Sequence, residues 1–380
     1  MKDKEKISQS SNFAGLRSIS NRVETSHPVV RALKSLLVFV CALSLTSCTQ
    51  LESRPITSST IFDSAPAGEP GYIPEEPLVE QRALISFAGD CIFSSMQGLS
   101  QFNAAYNDEG PAYFLSGVQE VFANDDLTIV NLESALTTSN NRAFKGEERD
   151  EDGNVLAYWF KAPPEYAEIL SLGSVEVVNL ANNHILDYGW EGLAETEDVL
   201  TNAGIDYFIW EQTLVKDVNG IKIGFFGFSF DSNAANIHAV INQLWADGAE
   251  VIVAYFHDGT ENAAYPSNDQ ITAAYAAIDY GATAVLMSHV HRIQGVEEYN
   301  GSFIAWSMGN FCVGQYSAFQ DADSMIVQLE FVRTKDGITC TPTIIPCSNS
   351  SILPYNDYRP IILTDDEATR VLDRIQELSQ

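Results

Sequence analysis

Five short apolar segments of the 380-residue chain each end in residues that can bind a metal ion or transfer a proton. The segments are rich in Val, Ile and Phe, and they end at Asp90, Glu133, His184, His257 and His291. Short β-branched runs predict buried strands, and the stretches between them have helical character. Strands that alternate with helices predict a layered α/β domain.

The pattern predicts an ordered series of strands and helices. The predicted strands are Ala83–Ala88, Leu127–Asn131, Val175–Leu180, Ile221–Phe228, Val251–Phe256, Ala284–Met287, Ser302–Trp306, Met325–Val332 and Thr339–Ile345. The predicted helices are Pro164–Leu172, Trp190–Ala203, Ile237–Asp247, Asp269–Tyr280 and Asp365–Leu378. Residues 140–154 are highly charged and predict a surface loop or a hairpin insertion.

Ligands bind α/β sheets in the crevice beyond the carboxyl ends of the strands, so the five segment ends are expected to converge there. Four of the six histidines occupy such ends, whereas His27 lies near the N-terminus and His238 falls in a predicted helix. Imidazole, carboxylate and amide oxygen together suit Zn, Mn or Fe. On an extended backbone His289 and His291 would face the same side and share one metal or bridge two. The sequence therefore predicts one metal-binding site of the hydrolase type.

Each residue taken singly has a plain structural interpretation. Asp90 follows a glycine and could cap a turn, and Glu133 could be a solvated loop carboxylate. Asn182-Asn183-His184 could be turn chemistry, because Asn tolerates left-handed backbone. The placement of the whole set at strand ends favours the metal site.

The same segments resemble motifs of the CapA family, the poly-γ-glutamate capsule biosynthesis proteins of the metallophosphatase-like superfamily. The resemblance runs from about Leu84 to Val313. Ala181-Asn-Asn-His-Ile-Leu-Asp-Tyr-Gly189 resembles the family's ANNHxxDxG block, which is the most specific match. The other matches are Phe87-Ala-Gly-Asp90 to the Gly-Asp motif, Asn131-Leu-Glu133 to Asn-Leu-Glu, His257-Asp-Gly-Thr-Glu261 to HWGxE, Ser288-His-Val-His291 with Gln294 to GHHPHxxQ, and Ser307-Met-Gly-Asn-Phe311 to SLGNF.

This resemblance implies a four-layer αββα sandwich of the metallophosphoesterase type over residues 81–333, with residues 334–380 as a C-terminal extension packed on it. It implies two divalent transition-metal ions, of Mn, Zn or Fe, with the ligands Asp90, Glu133, Asn183, His257, His289 and His291. His184 would be a proton donor, and Asp187 would either orient His184 or cap the next helix. Glu261 would hold His257 or contact substrate, and Asn310 is also expected to contact substrate.

The chain departs from the superfamily's pattern beside Asp90. Metallophosphatases usually begin with Asp-x-His, whereas Asp90 is followed by Cys91 and Ile92, so one histidine ligand is absent. Two further changes, Asp258 for Trp and Ser288 for Gly, alter the rim of the predicted site rather than its ligands.

The N-terminal residues predict export and anchoring. Residues 1–47 combine basic residues with the apolar run Ser35–Leu45, which is typical of a signal peptide and too short to span a membrane. Leu45-Thr-Ser-Cys48 resembles the bacterial lipobox, so Cys48 is expected to be lipidated, although an ordinary signal peptide or an uncleaved anchor would also fit. Residues 48–80 predict a flexible tether. The predicted location is extracytoplasmic, with the chain lipid-anchored to the bacterial cell membrane.

Charge and cysteine usage narrow the expected partners. The formal net charge of −30 repels nucleic acid and anionic lipid surfaces, so nucleic acid is not an expected partner. Without a CxxC pair, a thiolate zinc site is not expected. Cys340 and Cys347 could close a small loop through a disulfide or remain free.

Three functions fit these features. The first is a metal-dependent hydrolase or transferase acting on a phosphate or amide bond of an envelope polymer. The second is a non-catalytic accessory protein that exports or anchors an anionic polymer together with membrane components of its synthesis. The third is a lipid-tethered protein that binds a small ligand among its histidines.

Overall fold

The computed structural model of the protein describes residues 81–94, 100–145, 157–230 and 233–379. These residues belong to one compact unit, Pro74–Gln380. The predicted signal peptide, the tether and Cys48 lie outside the described residues. Within the described ranges, no helix is long and apolar enough to cross a membrane.

The larger sheet is built around its first strand, β1. Its strand order is β16-β15-β14-β1-β2-β5-β6, and β13 also pairs with β1. Strands β1, β2, β5 and β6 are parallel, whereas β14, β15 and β16 are added antiparallel. The bounds are β1 Gln81–Ile92, β2 Leu127–Leu132, β5 Val177–Asn179, β6 Asp206–Phe208, β13 Asn310–Val313, β14 Asp323–Thr334, β15 Gly337–Ser348 and β16 Ile361–Ile362. β1 is buried from Ile85 to Ile92 because strands flank it on both sides and layers cover both of its faces.

The smaller sheet has the strand order β11-β12-β10-β9-β8-β7. Its four central strands are parallel, and an antiparallel strand closes each edge. The bounds are β7 Trp210–Val218, β8 Ile221–Gly227, β9 Val251–His257, β10 Ala284–Ser288, β11 Val296–Tyr299 and β12 Ser302–Ala305. A separate two-stranded ladder joins β3, Ala135–Leu136, to β4, Lys161–Ala162.

The helices connect the strands and cover the outer faces. They are α1 Ser100–Glu109, α2 Gln119–Phe122, α3 Ala167–Leu172, α4 Gly189–Ala203, α5 Ala234–Ala246, α6 Asn268–Asp279 and α7 Asp365–Leu378, with 3-10 turns at Pro111–Tyr113 and Pro164–Tyr166. Helix α4 ends at Gly204, whose φ of 74° favours a residue without a side chain. Helix α6 begins with a capping box formed by Ser267 and Gln270.

Three apolar cores show that these elements form four layers. The central core lies between the two sheets and contains Phe87 and Val327 from the larger sheet and Phe225 and Leu286 from the smaller one. A second core lies under α3 and α4 on the outer face of the larger sheet. A third lies under α5 and α6 on the outer face of the smaller sheet. The predicted αββα sandwich is therefore confirmed.

The C-terminal residues extend the larger sheet and complete the central core. Strands β15 and β16 continue the sheet beyond β14, and Val371 and Ile375 of α7 are buried in the central core. Cys340 and Cys347 lie on the same strand, β15, about 23 Å apart at an extended rise of ~3.3 Å per residue. The disulfide considered from the sequence is therefore wrong, and both thiols are free.

Candidate metal centre

The predicted ligands meet where β1, β2, β9 and β10 end and where β5 runs into the turn before α4. Asp90 is the third residue from the end of β1, Glu133 follows β2, and His257 is the last residue of β9. All three are fully buried. The convergence follows from the parallel arrangement, because parallel strands bring their carboxyl ends to one edge of a sheet.

The close packing of β1 against the loop before β13 explains the glycine that precedes Asp90. A Cβ atom on Gly89 would lie 1.9 Å from the carbonyl oxygen of Gly309, so only glycine fits. The Asp90 N–H donates to the same carbonyl at 3.1 Å. This contact fixes the backbone at Asp90 and so helps to position its carboxylate.

The side chain of Asn131 lies at the centre of the site, a role that the sequence did not reveal. Its Nδ2 lies 2.7 Å from Asp90 Oδ1, to which it donates, and 3.0 Å from His257 Nδ1. Its Oδ1 accepts hydrogen bonds from the amides of Asn179 and Asn182, each at 3.2 Å.

Backbone donors fix the direction of this amide network. The Ala181 N–H donates to Asn179 Oδ1 and the His184 N–H donates to Asn182 Oδ1. The Nδ2 groups of both asparagines therefore point at Asn131 Oδ1. The turn that contains the Asn-Asn-His sequence therefore orients Asn131, and Asn131 in turn orients the Asp90 carboxylate.

Glu133 is the least satisfied polar side chain of the site. Among the described residues, neither of its carboxylate oxygens has a hydrogen-bond donor, although the side chain is fully buried. Its Oε1 lies 3.4 Å from His257 Nε2 and 3.8 Å from His184 Nε2. A buried carboxylate without donors is costly unless a cation or a proton compensates it.

Two groups of possible ligands share Glu133. One consists of Glu133, His257 and His289, and the other of Asp90, Glu133 and His291. The ligand atoms within each group lie within 4.8 Å of one another. Asn183 Oδ1 lies 2.9 Å from His257 Nε2, which places this amide beside the first group. Glu133 would therefore help to hold metal in either group.

His289 and His291 do not lie on an extended backbone, so that part of the sequence interpretation is wrong. β10 ends at Ser288, and the two histidines have φ values of 98° and 62°. This left-handed turn directs one ring to each ligand group. His291 Nδ1 also lies 3.1 Å from Asn310 Oδ1.

The carboxylates and imidazoles strongly perturb each other's protonation. Burial raises the pKa of Asp90, but hydrogen bonds with His257 and His291 outweigh burial and hold that pKa well below its ordinary value. Burial lowers the pKa of His257, but Glu133 and Asp90 raise it overall to about 10. The pKa of His291 is raised to about 9 against burial, chiefly by Asp90. Burial and the neighbouring charges of His257 and His291 lower the pKa of His289 to about 2. The raised values follow from the contacts of His257 with Glu133 and Asp90 and of His291 with Asp90.

His184 is held beside the ligands by a separate buried group. Its Nδ1 lies 2.8 Å from Asp187 Oδ2 and 3.2 Å from Lys145 Nζ, and its ring packs on Phe160 with centroids 4.1 Å apart. Asp187 also pairs with Lys145 and accepts a hydrogen bond from the Phe160 N–H. Of the two roles considered for Asp187, these contacts favour orientation of His184, since Tyr188 occupies the N-cap position of α4.

Lys145 is a further residue that the sequence analysis missed. Its Nζ also donates to the Tyr158 carbonyl, so Lys145 joins Tyr158 to Asp187. It lies 39 residues before His184, and no periodicity signals such a pairing.

The two predicted substrate-contact residues have different surroundings. Asn310 is buried and faces His291, so it orients a possible ligand. Glu261 is exposed, and its charge contributes to the raised pKa of His291. Gln294 accepts from Gln270 and donates to the Ala263 carbonyl, which is a structural role.

Ile92 occupies the position at which the metallophosphatase pattern has histidine. It is fully buried in a small apolar cluster with Phe160 and Val313, and Tyr316 and Phe319 pack against this cluster. The wall beside Asp90 is therefore apolar, and the group containing Asp90 and His291 receives no further ligand from β1.

The residues present fit a divalent transition-metal ion. The fit rests on the buried Glu133 carboxylate without donors, on the clustered imidazoles, and on the amide oxygen of Asn183. This mixture of nitrogen and oxygen donors is typical of Zn, Mn and Fe sites. Fold and ligand set together define an αββα sandwich with a candidate metal centre at the strand ends.

Sequence comparison places the chain in a family. The profile described as bacterial capsule synthesis protein PGA_cap matches residues 84–315. This span is more than half of the chain, and the chain belongs to that family.

Two curated relatives agree with this assignment. The capsule biosynthesis protein CapA of Bacillus anthracis is 24% identical over 266 residues, which cover 63% of this chain and 62% of that protein. The PGA biosynthesis protein CapA of Bacillus subtilis (strain 168) is 27% identical over 244 residues, which cover 58% of this chain and 61% of that protein. The match thus spans about three fifths of the length of these relatives.

Two solved structures are distantly similar. The crystal structure of TT1561 of Thermus thermophilus has a TM-score of 0.38 at 11% identity, over 64% of this chain and 93% of that chain. The 5'-nucleotidase of Candida albicans also has a TM-score of 0.38 at 11% identity, over 77% of this chain and 56% of that chain.

Proposed function

We propose that this chain acts in the biosynthesis of a capsule polymer of the poly-γ-glutamate type, through a metal-dependent hydrolase-type centre. The observation that carries the proposal is the buried Glu133 carboxylate, which lacks hydrogen-bond donors and belongs to both ligand groups. Such a residue is costly in a merely structural role, whereas a bound cation would compensate its charge.

The expected reaction is cleavage or transfer at a phosphate or amide bond of the polymer or its precursor. Bound metal would supply polarisation of the scissile group and activation of water. The residues that would hold metal are Asp90, Glu133, Asn183, His257, His289 and His291.

His184 is suited to give a proton to the leaving group. Its Nε2 points towards the ligands, 3.8 Å from Glu133 Oε1, while Asp187 and Lys145 hold its other nitrogen. The Phe160 ring fixes the imidazole plane and keeps water from one face of it. Asp187 and Lys145 are positioning residues in this proposal.

We further propose that the chain works outside the cytoplasm, anchored to the bacterial cell membrane through lipidated Cys48. Residues 48–80 would then tether the domain near membrane components of polymer synthesis or export. The negative net charge favours partners or polymers that are bound through a cation rather than through basic side chains.

Metal analysis tests the proposal first. The purified chain is expected to retain at least about one equivalent of a divalent transition metal, and less than about half an equivalent would contradict a metal centre. His184→Ala is then expected to keep the metal and to lower turnover of a polymer or phosphodiester substrate at least about a hundredfold. His238→Ala is the control, because His238 lies on α5 and stacks on Tyr280, away from the ligands.

A second function is favoured by Ile92. Ile92 stands where a histidine ligand was expected, so the group of Asp90, Glu133 and His291 has one ligand fewer. Such a site could bind an anionic polymer through metal without cleaving it. In that case His184→Ala leaves both polymer binding and metal content unchanged. Turnover of the substrate is then no lower in this variant than in the wild-type chain.

A further inference from the structure

An exposed apolar turn lies between β15 and β16, at the end of the larger sheet where the candidate metal centre is found. This apolar turn consists of Ile352, Leu353, Pro354 and Tyr355, which are all exposed. Ile352 is 53% exposed, Leu353 52% and Tyr355 66%. Nowhere else among the described residues do three exposed large apolar side chains lie within four positions of sequence. A contiguous patch of this kind is typical of a contact surface.

Hydrogen bonds hold the apolar turn in its exposed position. The Tyr355 N–H donates to the Ile352 carbonyl at 3.2 Å, which closes the turn. The Phe319 N–H donates to the Pro354 carbonyl at 2.8 Å. The side-chain amide of Asn356 donates to two carbonyls at the end of β13 and just beyond it, each at 2.8 Å. The exposed side chains are therefore presented on a fixed backbone.

The surroundings of the apolar turn are polar but uncharged. Residues 348–356 contain no Lys, Arg, Asp or Glu, although 19% of the whole chain is charged. The next residue, Asp357, is engaged by Ser350 Oγ at 2.8 Å and by the Ser351 N–H at 3.0 Å. Apolar side chains with a tyrosine among them and a rim of hydroxyl and amide groups match the interface between lipid headgroups and acyl chains.

A lipid bilayer fits this surface better than a second protein does. A stable protein interface buries about 800 Å² on each partner, which is more than the side chains of one turn provide. A few apolar side chains can enter a bilayer without such an area, but their contact is weak by itself. The net charge of −30 further disfavours binding from solution to anionic lipid. Contact with lipid therefore requires a domain that is already held near the membrane, because a tether raises the local concentration.

The proposed anchor is compatible with this orientation. Thirty-two residues lie between Cys48 and Gln81, and at ~3.3 Å per residue they span at most about 100 Å. β1 begins at Gln81 and runs for about 40 Å towards the end of the sheet where the apolar turn lies. The proposed tether is therefore long enough for the domain to meet the membrane with the end opposite Gln81.

The apolar turn is joined to the wall of the candidate metal centre. Phe319, whose N–H bonds to Pro354, packs together with Tyr316 against the small apolar cluster that contains Ile92. Ile92 follows Asp90 by two positions on β1. A surface that contacts the apolar turn therefore lies close to the metal centre as well.

We propose that the apolar turn inserts into a phospholipid surface and directs the metal centre towards the membrane. The inference rests on the proposed anchoring through Cys48 and adds a second, reversible contact to it. Ile352 and Leu353 would enter the acyl region, whereas the Tyr355 hydroxyl would stay among the headgroups. The centre would then act on polymer at the membrane surface rather than on polymer in solution.

The test measures the quenching of tryptophan fluorescence by brominated phosphatidylcholine in vesicles that hold the lipidated full chain. Leu353→Trp places a reporter in the apolar turn, and the wild-type chain with its five tryptophans gives the background. Interfacial insertion buries apolar side chains by about 5–10 Å, so the emission added by Leu353→Trp should fall at least about twofold in brominated vesicles. Absence of this quenching would overturn the proposal.

Leu172→Trp is the matched control. Leu172 is 47% exposed and ends α3 shortly before β5 begins, so it lies at the opposite end of the larger sheet. Its added emission should not respond to bromine. Quenching of equal size in Leu172→Trp and Leu353→Trp would show that the domain contacts lipid without a preferred side, which contradicts the proposal.

A charge in the apolar turn provides a second test. Ile352→Asp, added to Leu353→Trp, should abolish the quenching while circular dichroism stays unchanged, because a carboxylate is costly in the acyl region. Quenching that persists in this double variant would refute insertion. Blue-shifted emission of Leu353→Trp in the absence of vesicles would show that a second copy of the chain covers the turn, and this result would also overturn the proposal.

The mass of the N-terminal peptide separates this inference from the proposed anchoring. If Cys48 is not lipidated, the anchoring proposal fails, and the quenching is then measured at high vesicle concentration, where contact needs no anchor. Quenching of Leu353→Trp under these conditions supports the role of the apolar turn, and its absence overturns that role.

Discussion

The side-chain amide of Asn131 lies 2.7 Å from Asp90 Oδ1 and ties the end of β1 to the turn that follows β5. Asn131 uses both ends of its amide, because Asn179 and Asn182 donate to its oxygen. Its Nδ2 also lies 3.0 Å from His257 Nδ1. Asn131 therefore contacts one member of each ligand group without any bound ion.

Replacing Asn131 should destabilise the protein strongly. Asn131→Ala would remove one donor from the buried Asp90 carboxylate and the acceptor of the buried Asn179 amide, and each such loss costs about 1–3 kcal/mol. We expect the free energy of unfolding to fall by at least about 2 kcal/mol in urea denaturation. The exposed Asn141→Ala serves as control, and a loss no larger than that of the control would refute a central role for Asn131.

Metal removal should destabilise the wild-type chain but not a variant without the shared carboxylate. Ligand at a hundred times its dissociation constant stabilises a folded protein by about 2.7 kcal/mol. A chelator is therefore expected to lower the wild-type melting temperature, and Glu133→Gln should melt at one temperature with or without chelator. Scanning calorimetry checks this, and a chelator effect that survives in Glu133→Gln would assign the metal to other residues.

The ion pair between Lys145 and Asp187 should contribute far more than a surface pair. Asp187 is fully buried, and Lys145→Met would remove its lysine partner and leave only the Phe160 N–H and the His184 ring beside its charge, at a cost of about 3 kcal/mol or more. Lys216→Met is the matched control, because Lys216 and Asp206 are both partly exposed and such pairs are worth about 0–1 kcal/mol. Similar urea midpoints for the two variants would argue against the buried pair.

Acid should weaken the attachment of α7 to β14. Burial raises the pKa of Asp323, but hydrogen bonds from Arg370 and Arg374 outweigh burial and lower it overall. A lowered carboxylate pKa adds stability that is present above the unfolded-state value of about 3.9 and is lost as the pH falls through the folded-state value. Urea midpoints of the wild type should therefore drop below about pH 4 more steeply than those of Asp323→Asn. Parallel curves for the two proteins would show that Asp323 does not titrate in this way.

The strands of the fold were well predicted where burial dictates composition. The runs that became β2, β8, β9 and β10 are buried on both faces, and their predicted bounds agree with the structure to within one residue at each end. Strand β7 was missed because it lies at an edge, where half-exposed polar residues such as Glu211 and Gln212 conceal the alternation. Helix α1 was missed because its sequence has little apolar periodicity.

The site was predicted as a set of residues but not as a network. Chain order alone places Asp90, Glu133 and His257 at strand ends, because the parallel topology follows from the alternation of elements. The functions of Asn131 and Lys145 depend on contacts across 126 and 39 positions of sequence, which local patterns do not encode. The left-handed turn at His289 and His291 was likewise not predicted, because histidine does not favour positive φ strongly enough to indicate it.

The pairing of β1 with β14 also has a consequence for how the chain reaches its native state. Gln328 donates to Ser86 across 242 positions of sequence, so the middle of the larger sheet joins the beginning of the domain to its end. Because non-local pairing slows folding, a nascent chain must stay incompletely folded until most of it has been synthesised. Val371 and Ile375 then close the central core, and a ribosome that stops before α7 releases a domain with an open apolar layer.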